Sequence, residues 1–288
     1  RELDAALRDV VDEEQIFRID HFLGKEAVQN VFAFRFGNVV FESTWDAEHV
    51  AQVQIDVPET LGLEGRGSFY ESTGALRDMV STHLGQLLAV VAMDRPTAYD
   101  PEALRDAKSA ALADVREFDP ARTVYGQFDG YRDDDDTADD SDVETFVALE
   151  AFVDNDRWRG VPFVLRTGKA LAETRRTITV TYRDPDLSLL RDADPDEIEG
   201  DPGQVVLELT DDAEIGLGFR AKKPGPTFDV VTTRLTADLA DDVAGANPLE
   251  AYERLLLDVF RGDQTLFTRS DEVDRLWQLC QPLLDDRP

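Results

Sequence analysis

The chain has 288 residues, 42% of them apolar, with 61 acidic side chains against 30 basic ones and a net charge of −31. Such a composition can bury one large core or two small ones, and it is not that of a disordered chain. A charge this negative repels nucleic acid and anionic lipid, so neither is expected as a partner.

In chain order, residues 1–14 read as an amphipathic helix with Leu3, Leu7, Val10 and Val11 near one face. IFRID (16–20) reads as a strand end, and Gly24 to Arg35 as a helix with Ala27, Val28, Val31 and Phe32 inward. VAQVQIDVP (50–58) alternates and stops at Pro58, as a strand does. Gly62, Gly65 and Gly67 make 59–71 a loop. One long helix is expected from about Thr73 to Met93, halted by Pro96, and another after Asp100-Pro101, where proline suits the first turn. YRDDDDTADDSD (131–142) is a solvated acidic loop by composition, with cation binding as the rival reading. Six short β-branched segments follow: TFVALEAFV, VPFVLRT, TITVTYR, QVVLELT, EIGLGFRAK and TFDVVTTRL. Strands without crossover helices favour antiparallel pairing. Two helices close the chain, one capped at Asn247-Pro248 and one starting at Ser270 with Asp271 and Glu272 in its first turn. The fold class is therefore α+β, a large, mostly antiparallel sheet with helices on one face.

Cys280 is the single cysteine and cannot form an internal disulfide; a buried, inert thiol in a reducing compartment is expected, which places the protein in the cytoplasm. No run approaches 18 apolar residues, and no signal peptide is visible. Arg1 opens inside an apparent helix, so an upstream region is expected. The acidic excess reads as a hydrated surface adapted to high salt, with an acidic interaction surface as the alternative. At molar salt the screening length falls to about 3 Å, which removes most self-repulsion.

Histidine and lysine are scarce, three and five in all, so their placement carries information. RIDHFLGKE (18–26) gathers Arg18, Asp20, His21, Lys25 and Glu26 around Gly24. If Phe22 onward is helical, His21 and Lys25 share a face near a helix N-terminus, where an anion would bind; a helix start with solvated charges explains the pattern equally. Asp78 and His83 lie five apart on the long helix, about 140° around an α-helical axis, so they are not stacked neighbours. His83 beside the apolar stripe of Leu84, Leu87, Leu88 and Val91 reads either as a satisfied core residue or as a catalyst. Lys169 follows a strand-ending Gly168 and is either an anion ligand or an ordinary hairpin lysine. No G-x-G-x-x-G, P-loop, H-E-x-x-H or C-x-x-C occurs, so neither a nucleotide-binding turn nor a metal site is expected.

Longer segments carry a resemblance. RIDHFLGKE is similar to the signature R-I-D-H-Y-L-G-K-E of glucose-6-phosphate dehydrogenases. GLEGRGSFYESTGALRDMVSTHL (62–84) resembles that family's G-x-E-G-R-G-x-Y-Y-D-x-x-G-A-L-R-D-M-x-Q-N-H-L. RWRGVPFVLRTGKAL, AYERLLLDVFRGDQTLFTRSDEV and a closing W-x-x-x-x-P-L-L match in order, from about Asp12 to Leu284.

The resemblance implies oxidation of glucose 6-phosphate to the lactone with NADP or NAD, in the pentose phosphate pathway. It assigns the base to His83, which takes the C1 hydroxyl proton, and its orienting carboxylate to Asp20. It assigns phosphate binding to His21 and Lys25, sugar hydroxyls to Glu59 and Asp78, and a further substrate contact to Lys169. A second phosphate-binding Lys or Arg of the family falls near 174, where this chain has Thr174 followed by Arg175. Phe22 replaces a tyrosine, and Ser81-Thr82 replaces Gln-Asn before the base. Gly218 stands where a structural NADP site would need lysine, so that site is not expected. The family's coenzyme domain, with its G-x-x-G-D-L-like turn, is not found in this sequence. Residues 1–20 are expected to be the tail of that domain and 21–288 the substrate and dimerisation domain, without dehydrogenase activity alone. A homodimer through the large sheet is implied. The alternative is a non-catalytic sugar-phosphate-binding or dimerising module.

Overall fold

The computed structural model describes residues 6–7, 9–185, 203–210, 213–243 and 249–286. The helices that position the site are α1 (Glu26–Phe36), α2 (Gly67–Ala75), α3 (Gly85–Ala92), α4 (Pro101–Asp114), α5 (Ala251–Arg261) and α6 (Ser270–Asp285). The strands are β1 (Val50–Pro58), β2 (Thr123–Gly126), β3 (Phe146–Ala151), β4 (Phe163–Gly168), β5 (Thr177–Tyr182), β6 (Gln204–Glu208), β7 (Ile215–Lys222) and β8 (Val230–Ala237). They form one sheet in the order β2-β3-β4-β1-β5-β6-β7-β8. Every pair is antiparallel except β1–β4, which runs parallel with Pro58 opposite Gly168. Alternating burial along β3 and β4 marks the face on which the helices pack.

The β-branched segments from 146 to 237 become the six expected strands. β2 was not foreseen; it is a short edge strand on β3, exposed at Val124. The expected loop 59–71 is shorter than its glycines imply, because the chain turns at Glu64 and Gly65, both at positive φ, and enters α2 at Gly67. The expected helix 1–14 lies partly outside the described residues. Of the rest, only 6–7 are helical, and Asp12 caps a single 3-10 turn, Glu13–Gln15. The Asn247-Pro248 cap also lies outside the described residues; α5 starts at Ala251.

The expected continuous helix from Thr73 to Met93 is three pieces. Gly74 breaks it at φ 68°, ψ 170°, and a Cβ there would lie 2.6 Å from a Glu144 carboxylate oxygen. Glu144 closes the break by accepting the Leu76 amide at 3.0 Å. Leu76–Leu84 then forms a π-helix, and Gly85 donates its N–H to the Val80 carbonyl five residues back. Hydroxyls support the widened turn: Ser81 Oγ donates to the Arg77 carbonyl at 2.9 Å and Thr82 Oγ1 to the Asp78 carbonyl at 2.6 Å. The helix regains α geometry at Gly85, whose missing side chain admits Leu276 of α6; a Cβ would lie 2.3 Å from it.

The core runs from α1 through α3 and the sheet to α6, with Trp45, Trp158, Phe163 and Phe267 fully buried. Cys280 is buried in it, and burial pushes its thiol up to about 12, so it is inert at neutral pH. α4 joins α6 through a buried ion pair: Lys108 Nζ donates to Glu272 Oε2 at 2.9 Å and to Gln86 Oε1 at 3.1 Å. Lys108→Ala strands a buried carboxylate and should cost about 3–5 kcal/mol, whereas Lys108→Met with Glu272→Leu should cost much less. Urea unfolding of the two variants measures the difference.

Candidate active site

The site begins where the chain from Phe17 meets α6. Arg18 bridges to Thr268, and the Arg18 carbonyl accepts the Thr268 amide at 3.2 Å. Asp20 then opens three tight turns: Leu23 N–H to the Asp20 carbonyl, Gly24 to His21, and Lys25 to Phe22. Lys25 stands at the N-cap of α1 in extended conformation. His21 and Lys25 therefore do not share a helical face, contrary to the expectation; they belong to the turns leading into the helix. Gly24 lets α5 close over these turns, since a Cβ would lie 2.6 Å from the Ala251 carbonyl oxygen.

Asp20 and His83 meet. Asp20 Oδ1 lies 2.7 Å from His83 Nδ1 and also accepts the Phe22 amide at 3.0 Å, with the carboxylate almost fully buried. A carboxylate only accepts, so Nδ1 carries the proton of the neutral ring and the lone pair falls on Nε2. Phe22 stacks on the His83 ring with centroids 4.6 Å apart, and His21 meets it edge-on at 4.7 Å. The imidazole is fixed in tautomer and in orientation, the requirement for a general base.

Asp78 reaches the same place for a reason the α-helical reading missed. A π-turn holds more residues per turn than an α-turn and so brings residues five apart closer to one face, and Asp78 and His83 line one open cleft of about 430 Å³ together with Asp20. Arg77, Gln86, Phe69 and Trp277 complete its walls. Another concavity of about 440 Å³ lies between α1 and Arg95–Tyr99; it holds none of the candidate residues.

Glu59 and Lys169 are brought together by the one parallel pairing. β1 and β4 end side by side, so the residues after Pro58 and Gly168 emerge at the same sheet end. The backbone locks them there: Glu59 N–H donates to the Gly168 carbonyl and Leu171 N–H to the Glu59 carbonyl, each at 2.9 Å. Lys169 Nζ pairs with Glu59 Oε2 at 2.6 Å and lies over the Tyr70 ring, 5.1 Å from its centroid. Burial, then the charge of Asp78, raises the Tyr70 phenol, with Glu144 and Glu59 adding to it, so Tyr70 stays a neutral hydroxyl near these carboxylates. His49 lies elsewhere, paired with Asp46 at 2.8 Å.

Two contributors went unassigned in the sequence. Tyr252 of α5 stacks on His21 with nearly parallel rings 5.9 Å apart. Arg176 lies 3.5 Å from the second oxygen of Glu59. The available signal was the matched segment AYER for the first and a basic residue in an acidic chain for the second.

Asp20, His21 and His83 each offer a ligand atom within 4.8 Å of the others, a set able to hold a divalent ion. The ring stacking and the Asp20–His83 hydrogen bond account for that closeness without one. His21 is pushed below its ordinary value of 6.5, first by burial and next by His83, with Lys25 and Arg176 adding to the effect and Asp20 opposing it. It is thus neutral near pH 7 and offers one N–H. A histidine held low when folded binds fewer protons than in the unfolded chain. Stability should therefore fall as pH drops through about 6.5 and level off below the folded value. His21→Gln should flatten that part of the profile, read by thermal unfolding at a series of pH values.

The family model for the C-terminal domain of glucose-6-phosphate dehydrogenase matches residues 32–287, and the model for its NAD binding domain matches residues 1–30. The glucose-6-phosphate 1-dehydrogenase of Borreliella burgdorferi is 39% identical over 98% of this chain and 61% of its own length. That of Rhizobium meliloti is 41% identical over 98% and 60%. The crystal structure of the Mycobacterium avium enzyme superposes with a TM-score of 0.88 at 37% identity, covering 100% of this chain and 61% of that one. A glucose-6-phosphate dehydrogenase in complex with glucose 6-phosphate superposes at 0.90 and 36% identity, covering 99% and 59%. The chain thus spans about three fifths of these relatives. With its matched segments, mixed sheet and Asp20–His83 pair, the chain belongs to the glucose-6-phosphate dehydrogenase family.

Proposed function

We propose that this chain carries the glucose 6-phosphate site and the general base for oxidation of that sugar to 6-phosphogluconolactone. The observation that carries the reading is the Asp20–His83 hydrogen bond at 2.7 Å, on a ring held within a cleft that Asp78 shares. His83 Nε2 takes the proton of the C1 hydroxyl, and Asp20 stabilises the imidazolium that forms. Glu59 and Asp78 accept hydrogen bonds from sugar hydroxyls, and Lys169 holds Glu59 in place. His21 and Lys25 take the phosphate, as an N–H donor and a point charge.

Oxidation removes hydride from C1, and a nicotinamide, NADP or NAD, supplies the acceptor when bound. The NAD-binding model matches residues 1–30 of this chain. The steps assigned here are binding, orientation and proton transfer. In this reading residues 1–20 belong to the coenzyme-binding unit and 21–288 to the substrate and dimerisation domain.

The exposed face of β7 and β8, with Phe219 and Leu235, is the proposed homodimer contact. The acidic surface is read as an adaptation to high salt. A cytoplasmic location agrees with a relative of 37% identity named as cytoplasmic in Arabidopsis thaliana. No helix among the described residues is long and apolar enough to cross a membrane.

Calorimetric titration with glucose 6-phosphate at molar salt tests the assignment. Lys25→Ala removes a charge-assisted contact of roughly 1.5–3 kcal/mol and should weaken binding strongly. His83→Ala should weaken it less, since the base acts on the reaction; the opposite order rejects these roles. Sedimentation and circular dichroism across salt test the rest. The folded fraction should rise from low to molar salt, and Leu235→Glu should yield a folded monomer where the parent chain sediments as a dimer.

A further inference from the structure

We propose that Arg176 is the second cation on the substrate phosphate, doing from two residues further along the work of a basic side chain at position 174. This rests on the reading of the cleft as a sugar-phosphate site.

Thr174 is exposed and brings a hydroxyl but no charge. Arg175, the adjacent cation, is turned away. Its Nε donates to Glu208 Oε1 at 2.7 Å, on the neighbouring strand β6. Arg176, by contrast, meets Glu59. Arg176 precedes β5, and its carbonyl accepts the Leu209 amide at 2.8 Å, which holds its backbone while its side chain takes the direction of Glu59.

That direction is toward the site. Arg176 Nη2 lies 3.5 Å from Glu59 Oε1, while Lys169 Nζ holds Glu59 Oε2 at 2.6 Å. One carboxylate therefore stands between two cations. Arg176 Nε is buried and has no hydrogen-bond partner among the described residues. A buried N–H of this kind costs stability unless something accepts from it. His21 feels the positive charge of Arg176 as it does that of Lys25, so both cations lie within electrostatic reach of the same imidazole. In a chain of net charge −31, cations gathered around two neutral donors, His21 and Tyr70, match an anion with several acceptor oxygens. A guanidinium offers a planar fork to such a group, and its length makes up the two-residue offset.

The test is calorimetric titration of the full chain with glucose 6-phosphate at molar salt, for the parent and for Arg176→Ala, Arg175→Ala and Lys25→Ala. Arg176→Ala should raise Kd roughly tenfold or more, and Arg175→Ala less than twofold. Adding Thr174→Arg to Arg176→Ala should recover most of the loss, which a merely structural role would not allow. If Arg176→Ala lowers Tm, Arg176→Gln carries the same expectation with the side-chain length kept. Binding that is lost in Lys25→Ala but unchanged in Arg176→Ala, or that depends on Arg175 as much as on Arg176, overturns this inference alone. No binding by the parent chain overturns it together with the function proposed above.

Discussion

A hydrogen bond between residues 63 positions apart holds the site in being. Asp20 is almost fully buried, and its Oδ1 is shared by the His83 imidazole and the Phe22 amide. A buried carboxylate is tolerable only with such partners. The same bond that stabilises Asp20 therefore also fixes the tautomer of His83, ties the turns before α1 to the π-helical segment, and brings Phe22 and His21 against the ring. The burial of Asp20 and the orientation of the His83 ring depend on one contact, so neither partner can change without affecting both.

Two departures from regular geometry deliver the remaining groups. The π-turn moves Asp78 onto the face of His83, and the Ser81 and Thr82 hydroxyls occupy carbonyls of that turn. π-bulges occur often at functional sites because they re-aim side chains without ending the helix. The parallel pair β1–β4 in an otherwise antiparallel sheet places Glu59 beside Lys169. With antiparallel pairing, the ends of these strands would lie at opposite edges.

The electrostatics run against the composition. A chain with twice as many acids as bases sets Lys169 and Arg176 on the two oxygens of Glu59, and Lys25 and Arg176 both help to hold His21 neutral. The long-range field of the protein opposes anions, whereas short, partly buried contacts such as Lys169–Glu59 are screened far less by salt than the surface charges.

The sequence by itself determined β1 and β3 to β8, together with α1, α4 and α6, and it singled out the candidate groups. Period-two alternation, proline and glycine punctuation and the order of RIDHFLGKE and its companion segments are local properties, readable without coordinates. His83, Asp20, His21, Lys25, Asp78 and Lys169 stood out in these patterns, and their roles, with Glu59, came from the family resemblance. What only the tertiary structure decided were matters of register and direction. The α-helical period put Asp78 and His83 apart, because nothing in LRDMVSTHL announces a π-turn; Gly74, Glu144 and the fit of Gly85 against Leu276 impose it from outside the segment. The parallel mating of β1 with β4 depends on partners 110 residues apart. Which of two adjacent arginines faces the site depends on the neighbours that Arg175 and Arg176 find, Glu208 on β6 and Glu59 after β1. These are contacts between segments distant in the chain, and a local pattern carries no information about them.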